Sequence, residues 1–148
     1  MSCGLQPDCF VQSSSFQICL DLSCESGVSG DWTSAFISAR EKWEGVIKSN
    51  GVNLDTQRFR FDPSFTANGR YPRFIDGVYI ASIVEPIDGP YNILGSAGPM
   101  YLMETDEGVL PLTGTMRFDS ADIQIMIRRG WIEGVIEHEM GHVLGIGT

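Results

Sequence analysis

The sequence is poor in positive charge. Only two of its residues are lysines, Lys42 and Lys48, and ten lysines and arginines stand against nineteen acidic residues, giving a net charge of −9. A groove for a nucleic-acid backbone needs clustered Lys and Arg, and an anionic membrane surface attracts basic segments. We therefore expect neither nucleic acid nor an anionic lipid surface as a partner.

Long hydrophobic runs are missing as well. A membrane-spanning helix needs about 20 predominantly apolar residues, whereas the longest apolar stretches, such as 78–84, have the length of a strand. The first twenty residues have neither a basic leader nor a continuous apolar centre, so no signal peptide is visible. We expect no transmembrane segment in this chain.

The cysteines are few and confined to one end. All four fall within the first 24 residues: Cys3, Cys9, Cys19 and Cys24. Their spacing is not the C-x2-C spacing of a zinc ribbon, and sequence cannot choose among the three possible pairings. Such clustering predicts at least one disulfide in a Cys-containing N-terminal segment, residues 1–25, and favours a secreted or cell-surface protein. The alternative is four unrelated thiols in a cytosolic protein.

Length and composition fit one domain with a core. The chain has 148 residues, of which 43% are hydrophobic and 20% charged, so we assign residues 1–148 to a single domain. Stretches with the pattern of strands and helices are mixed along it. This predicts the α/β (or α+β) class, although the pattern does not give the strand order.

Strand patterns occur at intervals along the chain. Residues 16–22 alternate apolar and polar side chains, as in a half-buried strand; 78–84 is a continuous apolar run, and 114–119 is a further short strand. Repeated glycines and prolines over 89–111 predict only short extended pieces between them. Residues 52–73 have the pattern of mixed strand and loop.

Three helices are predicted. The first follows Asp31 as its N-cap and is expected to end at 50–51. Its apolar residues recur at helical spacing: Trp32, Phe36, Ala39, Trp43 and Ile47. The second is capped by Asp119 or Ser120. After Gly130, a third helix covers residues 131–144.

The chemistry-bearing motif lies in the third helix, where residues 138–142 are His-Glu-Met-Gly-His. Histidines four apart on a helix share one face, so His138 and His142 can bind one Zn²⁺ at about 2.0–2.1 Å each. Glu139 lies beside that face, where it can take a proton from a metal-activated water and pass it to the leaving nitrogen of a peptide. The motif predicts a zinc-dependent endopeptidase with two histidine ligands and Glu139 as general base.

The alternative for this motif is a solvated helix face with a salt-bridging glutamate. The chain has only two histidines, and random placement would give this spacing followed by Glu in about one chain in a thousand. The nearest other carboxylates, Glu133 and Glu137, are rotated off the histidine face and are poor ligands. Gly141 costs about 1 kcal/mol relative to alanine inside a helix. Close packing against a strand or loop is the expected reason for it.

Residues 134–148, and Gly-Thr-Met-Arg-Phe-Asp at 114–119, resemble the leishmanolysin-like branch of the metzincin peptidases, whose active-site helix carries H-E-x-x-H-x-x-G. A weaker likeness in element order begins at the first helix. The resemblance implies a twisted mixed sheet with a backing helix and a C-terminal active-site helix. It also implies that the strand before that helix, here 114–118, pairs with an extended peptide or protein substrate; the alternative is an ordinary sheet edge.

The resemblance is incomplete at the third zinc ligand. In short-spacer metzincins that ligand stands six residues after the second histidine, which is Thr148 here, whereas in the leishmanolysin-like branch a third histidine follows a long insertion. We therefore expect the third ligand beyond Thr148, and the chain to be the N-terminal part of a catalytic domain, with little hydrolysis on its own. The rival hypotheses are a non-catalytic binding module of the same fold, an inactive gene fragment, or an H-E-x-x-H enzyme with a downstream acidic ligand.

Overall fold

The computed structural model describes residues 16–23, 30–47, 52–92 and 94–146. In chain order, the elements are β1 (Gln17–Leu22), α1 (Gly30–Val46), β2 (Leu54–Asp55), β3 (Phe74–Ile75), β4 (Gly77–Glu85), β5 (Gly95–Thr105), β6 (Gly108–Asp119), α2 (Ile123–Arg128) and α3 (Ile132–Val143). The mixed composition of helices and strands agrees with the predicted α/β (α+β) class.

Four strands form the main sheet in the order β1-β4-β6-β5. β1, β4 and β6 are parallel, while β5 pairs antiparallel with β6 through a hairpin turn at residues 106–107. Parallel neighbours require crossover connections, and α1 lies in the connection from β1 to β4. β2 and β3 form a separate antiparallel pair. Within the described residues, β1 and β5 are the edges of the main sheet.

Helices α1 and α3 cover one face of this sheet. Trp32 and Phe36 of α1 meet Phe118 of β6 edge to face, with ring-centroid distances of 5.0, 4.9 and 5.8 Å among the three. Met140 and Val143 of α3 are fully buried in the same cluster. Aromatic pairs of this geometry contribute about 0.5–1.5 kcal/mol beyond the burial of their area. The apolar face predicted for the first helix therefore packs inward.

Residues 52–76 cover the opposite face, largely as loop. The fully buried carboxylate of Asp21 holds them to the sheet: it accepts hydrogen bonds from the Tyr79 hydroxyl, the Asn68 side-chain amide and the backbone N–H of Ala67, the last at 3.1 Å. Burial, and then the hydrogen bond to Asp21, raise the pKa of Tyr79, so the hydroxyl remains a donor. On this face, hydrogen bonds to a buried carboxylate hold the covering residues to the sheet, whereas helices pack on the other face.

The strand predictions are wrong in two respects. β1 is buried on both faces rather than half-buried, because residues 52–76 cover the side that carries Cys19 and Asp21. The short pieces expected over 89–111 are instead parts of the long hairpin formed by β5 and β6. Pro99 and Pro111 lie inside these strands, and the pairing is irregular between residues 99 and 102. Prolines are tolerated at edge strands and bulges, so they do not end the strands here.

The helix predictions need correction at the N-termini. α1 begins at Gly30, so Asp31 lies in its first turn rather than at the cap. α2 begins at Ile123, after Asp122, and neither Asp119 nor Ser120 caps it. The Asp119 carboxylate instead accepts the backbone N–H of Ala121 at 3.0 Å. The expected end of the first helix at 50–51 lies outside the described residues.

The cysteine prediction falls largely outside the described residues. Cys19 lies in β1 and is disulfide-bonded. Cys3, Cys9 and Cys24, the other cysteines of the prediction, lie outside the described residues, so the pairing stays open. No helix in the described ranges is both long and apolar enough to span a membrane.

Candidate metal centre

The end of α3 is fixed by a glycine cap. Gly145 has φ +88, the left-handed conformation that favours glycine. Its N–H donates to the carbonyl of His142 at 3.1 Å, and the N–H of Ile146 donates to the carbonyl of Gly141 at 2.8 Å. This is the Schellman arrangement, in which a glycine just past the last turn ends the helix.

The two histidines share one face of α3, as their spacing predicts. Nε2 of His138 lies 3.0 Å from Nε2 of His142, and the rings are nearly perpendicular with centroids 4.5 Å apart. Two nitrogens bound to one tetrahedral Zn²⁺ at about 2.05 Å would be about 3.3 Å apart. The observed separation of 3.0 Å is therefore close to the separation that a shared metal would require.

A hydrogen bond fixes the tautomer of His142. Its Nδ1 lies 3.2 Å from the carbonyl oxygen of Ile146, and because a carbonyl only accepts, Nδ1–H is the donor. The lone pair of the neutral ring is then on Nε2, which faces His138. Metal-bound histidines commonly orient their rings by such a bond from the second nitrogen. The glycine cap therefore contributes to the site, because it turns the chain so that this carbonyl reaches the ring.

Glu139 completes the group. One ligand atom from each of His138, Glu139 and His142 can be chosen so that all lie within 4.8 Å of one another, and no other such set of three occurs among the described residues. Glu139 is only 9% exposed, while His138 is exposed. The Glu139 carboxylate is therefore shielded from solvent next to an exposed imidazole.

Helix α1 supports α3 directly behind this group. The indole N–H of Trp43 donates to the carbonyl of Glu137 at 3.0 Å, and a Cβ placed on Gly141 would lie 3.0 Å from Cζ2 of Trp43. Gly141 therefore makes room for a tryptophan of a neighbouring helix, not for a strand or loop as expected. Trp43 spans the turn of α3 that contains both histidines.

A charged cluster joins the same two helices. Lys42 donates to Glu133 at 2.8 Å and to Glu137 at 3.2 Å, and Ser38 donates to Glu133 at 2.8 Å. The bond from Lys42, followed by that from Ser38, lowers the pKa of Glu133, while the bond to Glu133 raises the pKa of Lys42. Both glutamates face α1, consistent with their rejection as ligands. Since the pairs are exposed, their contribution to stability is small.

The strand expected to pair with substrate has a different position. Residues 114–118 lie in β6, between β4 and β5, so both of their backbone edges are already paired. Gly114 lets this strand approach α3, since a Cβ there would overlap Cγ1 of Val143. The prediction that 114–118 receives a peptide is therefore wrong. Within the described residues, the free edge beside α3 belongs to β5.

Sequence reasoning missed the residues that position the helix. Helical spacing places Trp43 on the apolar face of the first helix but does not indicate its contact with α3, and Gly114 carries no local signal of its role. The interior Gly141 indicates only that something packs closely there. Trp131, which directly precedes α3, is 43% exposed. Neither the protein-family models nor the curated proteins compared with this sequence gave a match.

Proposed function

We propose that this chain carries the metal centre of a zinc-dependent endopeptidase, with His138 and His142 as ligands and Glu139 as general base. The observation that carries the proposal is the convergence of the two Nε2 atoms, 3.0 Å apart, beside the buried Glu139 carboxylate. Catalytic zinc sites combine imidazole or carboxylate ligands with an open position for water or substrate.

The donor set fits Zn²⁺. Neutral imidazole nitrogens are preferred zinc ligands, and the hydrogen bond from His142 to Ile146 leaves its Nε2 free to coordinate. The exposure of His138 keeps one side of the group accessible from solvent. When bound, the ion supplies Lewis acidity that polarises a peptide carbonyl and makes a water a better nucleophile at neutral pH.

Glu139 moves the proton. Its position next to His138 on the helix turns its carboxylate off the ligand face but keeps it within reach of a water there. The carboxylate removes a proton from the attacking water and returns it to the nitrogen of the departing amine, so the carboxylate is regenerated in each cycle. Trp43 and the glycine cap hold this turn of α3 from behind and from its end.

The substrate proposed is a peptide or protein segment in extended conformation, bound along the outer edge of β5. Within the described residues, nothing pairs with the outer side of this strand, and α3 packs against β5 and β6. An extended peptide can add to such an edge through main-chain hydrogen bonds. Because these bonds do not depend on side chains, the edge alone does not determine which sequence is cleaved.

A secreted or cell-surface location is part of the proposal. The disulfide at Cys19 supports it, because structural disulfides persist in oxidising compartments and are rare in the cytosol.

A non-catalytic module of the same fold is the competing proposal. The two differ in one respect, namely whether Glu139 has a role in turnover.

The test compares two glutamate variants in the same helix. The full natural protein is loaded with zinc and incubated with a peptide library. Glu139→Gln should keep its zinc and lose turnover by about 10²–10⁴-fold, the scale for removal of a general base. Glu137→Gln is the matched control, because Glu137 faces Lys42, and it should retain near-normal turnover.

Three further outcomes of this experiment are informative. A chelator should abolish cleavage, and zinc should restore it. Equal losses in the two glutamate variants would show that Glu139 has no special role in proton transfer. A folded, zinc-loaded protein that cleaves no member of the library would favour the non-catalytic module.

A further inference from the structure

A pocket lies away from the histidines, between the loop that joins β4 to β5 and helix α2. It has a volume of about 290 Å³, and its lining residues are Tyr91, Ile125, Arg128 and Arg129. None of these lining residues belongs to α3, which carries His138, Glu139 and His142. Nothing in the proposed peptidase mechanism uses it.

Two arginines give this pocket a charge opposite to that of the whole protein. The chain has a net charge of −9, yet in the described part of the chain no carboxylate lies within ion-pair distance of Arg128 or Arg129. Arg128 makes one long hydrogen bond, from Nε to the carbonyl of Gln124 at 3.4 Å, and Arg129 lies over the ring of Trp131 at 5.3 Å. No other hydrogen bond from these two guanidinium groups occurs among the described residues, so their remaining N–H groups can bind an oxyanion.

Tyr91, the aromatic residue that lines the pocket, has a strained backbone. It is 67% exposed and has φ 67, the only non-glycine residue with positive φ among those described. For an L-residue this conformation costs about 1–2 kcal/mol, which a glycine would avoid. A strained, exposed aromatic residue of this kind indicates a function for its position.

Buried carboxylates hold the tyrosine in place. The backbone N–H of Tyr91 donates to Oδ1 of the fully buried Asp122 at 2.8 Å, and the N–H groups of Asp88 and Gly89 each donate to Asp119 at 3.0 Å. The bonds from Ala121, first, and then from Asp88 lower the pKa of Asp119, so it remains ionised and keeps accepting them. The ring of Tyr91 is therefore carried by a loop that is anchored at both acidic residues.

We propose that this pocket binds a small ligand that joins an oxyanion to a single planar ring, such as an aryl phosphate or an aromatic carboxylate. Arginine pairs bind phosphate and carboxylate through directed N–H bonds, and both the tyrosine ring and a guanidinium plane stack on flat apolar groups. The volume is at the low end of the range of about 300–1,000 Å³ for ligand pockets, which suits one ring rather than several. The simpler explanation is that the arginines only complement the C-terminal end of α2.

A phosphorus NMR titration separates these explanations. Phenyl phosphate and inorganic phosphate, each observed directly, are titrated with the 148-residue chain at low ionic strength. Phenyl phosphate should bind saturably and more tightly than inorganic phosphate. Arg128→Gln and Arg129→Gln should each weaken its binding by about tenfold, because each removes charge-assisted hydrogen bonds. Displacement by benzoate would extend the ligand class to carboxylates, and its absence would restrict the class to phosphates.

Two further variants test the ring and the charge separately. Tyr91→Gly suits the observed φ and should preserve the fold, which far-UV circular dichroism checks; it should weaken phenyl phosphate several-fold and leave inorganic phosphate unchanged. Arg70→Gln removes an exposed arginine elsewhere and should have no effect. The proposal is overturned if phenyl phosphate does not saturate, if Arg70→Gln weakens binding as much as Arg128→Gln, or if Tyr91→Gly affects both anions equally.

Discussion

The two faces of the sheet are held by different forces. On the helical face, α1 and α3 bury a continuous apolar cluster in which Trp32, Phe36 and Phe118 interlock. On the loop face, residues 52–76 contribute a smaller apolar cluster, and the buried Asp21 links the loop to the sheet. The histidine pair belongs to the helical face, where apolar packing fixes the orientation of a whole helix.

This difference bears on where a precise site can be built. Apolar packing is non-directional but dense, and it holds a rigid helix whose side chains keep fixed spacing. A hydrogen-bonded loop depends on a few directed contacts, so the loss of one partner leaves a buried polar group unsatisfied. We therefore expect the helical face to respond to changes in volume and the loop face to respond to the loss of single polar atoms.

The largest expected effect comes from truncating an aromatic ring on the helical face. Phe118→Ala should lower the free energy of unfolding by about 3–5 kcal/mol, because Phe118 is fully buried between Trp32 and Phe36. Phe61→Ala is the counterpart on the loop face. Phe61 stacks on Tyr101 at 4.4 Å but is only partly buried, so about 1–2 kcal/mol is expected. Urea unfolding of both variants measures the two changes in unfolding free energy. Equal losses would contradict the claim that apolar packing matters more on the helical face than on the loop face.

A smaller effect is expected from removing one hydroxyl on the loop face. Tyr79→Phe preserves the ring but takes a hydrogen bond from the buried Asp21, and should cost about 1–3 kcal/mol of unfolding free energy. Tyr71→Phe, in the same cluster, removes an exposed hydroxyl that donates to the carbonyl of Asp62 and should cost less than about 1 kcal/mol. Equal values in urea unfolding would mean that Asp21 does not anchor the loop.

The smallest effect distinguishes two glycines of α3. A Cβ on Gly134 meets nothing within 4 Å, whereas one on Gly141 lies 3.0 Å from Trp43. Gly134→Ala should stabilise the protein by up to about 1 kcal/mol through helix propensity. Gly141→Ala should destabilise it by about 1 kcal/mol, because the indole must move away from Glu137. If thermal unfolding shows the same gain for both, the contact between Trp43 and α3 is not tight.

The helical face was largely predictable from sequence because its signals are local. The periodicity of Trp32 and Phe36, the histidine spacing and Gly145 each depend on residues within a few turns of helix. The bounds of the helices still shifted by a few residues at their starts. Even so, the candidate site at 138–142 could be assembled without knowing what surrounds it.

What could not be predicted depends on contacts between distant parts of the chain. The position of β6 inside the sheet, and hence the free edge at β5, follows from strand order, which sequence periodicity does not encode. The burial of both faces of β1 depends on residues 52–76, whose pattern has no clear period. The partner of Gly141 is Trp43, nearly a hundred residues earlier, so the glycine indicated a close contact but not its identity.

The most direct test of the account is a calorimetric titration of Zn²⁺ into the oxidised 148-residue chain. The chain is kept oxidised because free thiolates would themselves bind zinc. We expect one ion per chain, held more weakly than in a three-ligand site. His138→Ala and His142→Ala should each weaken binding at least about tenfold, while Glu139→Gln should change it little, since Glu139 is proposed as a base and not a ligand. Binding that is absent, or that survives both histidine substitutions, would contradict the assignment of a metal centre to α3.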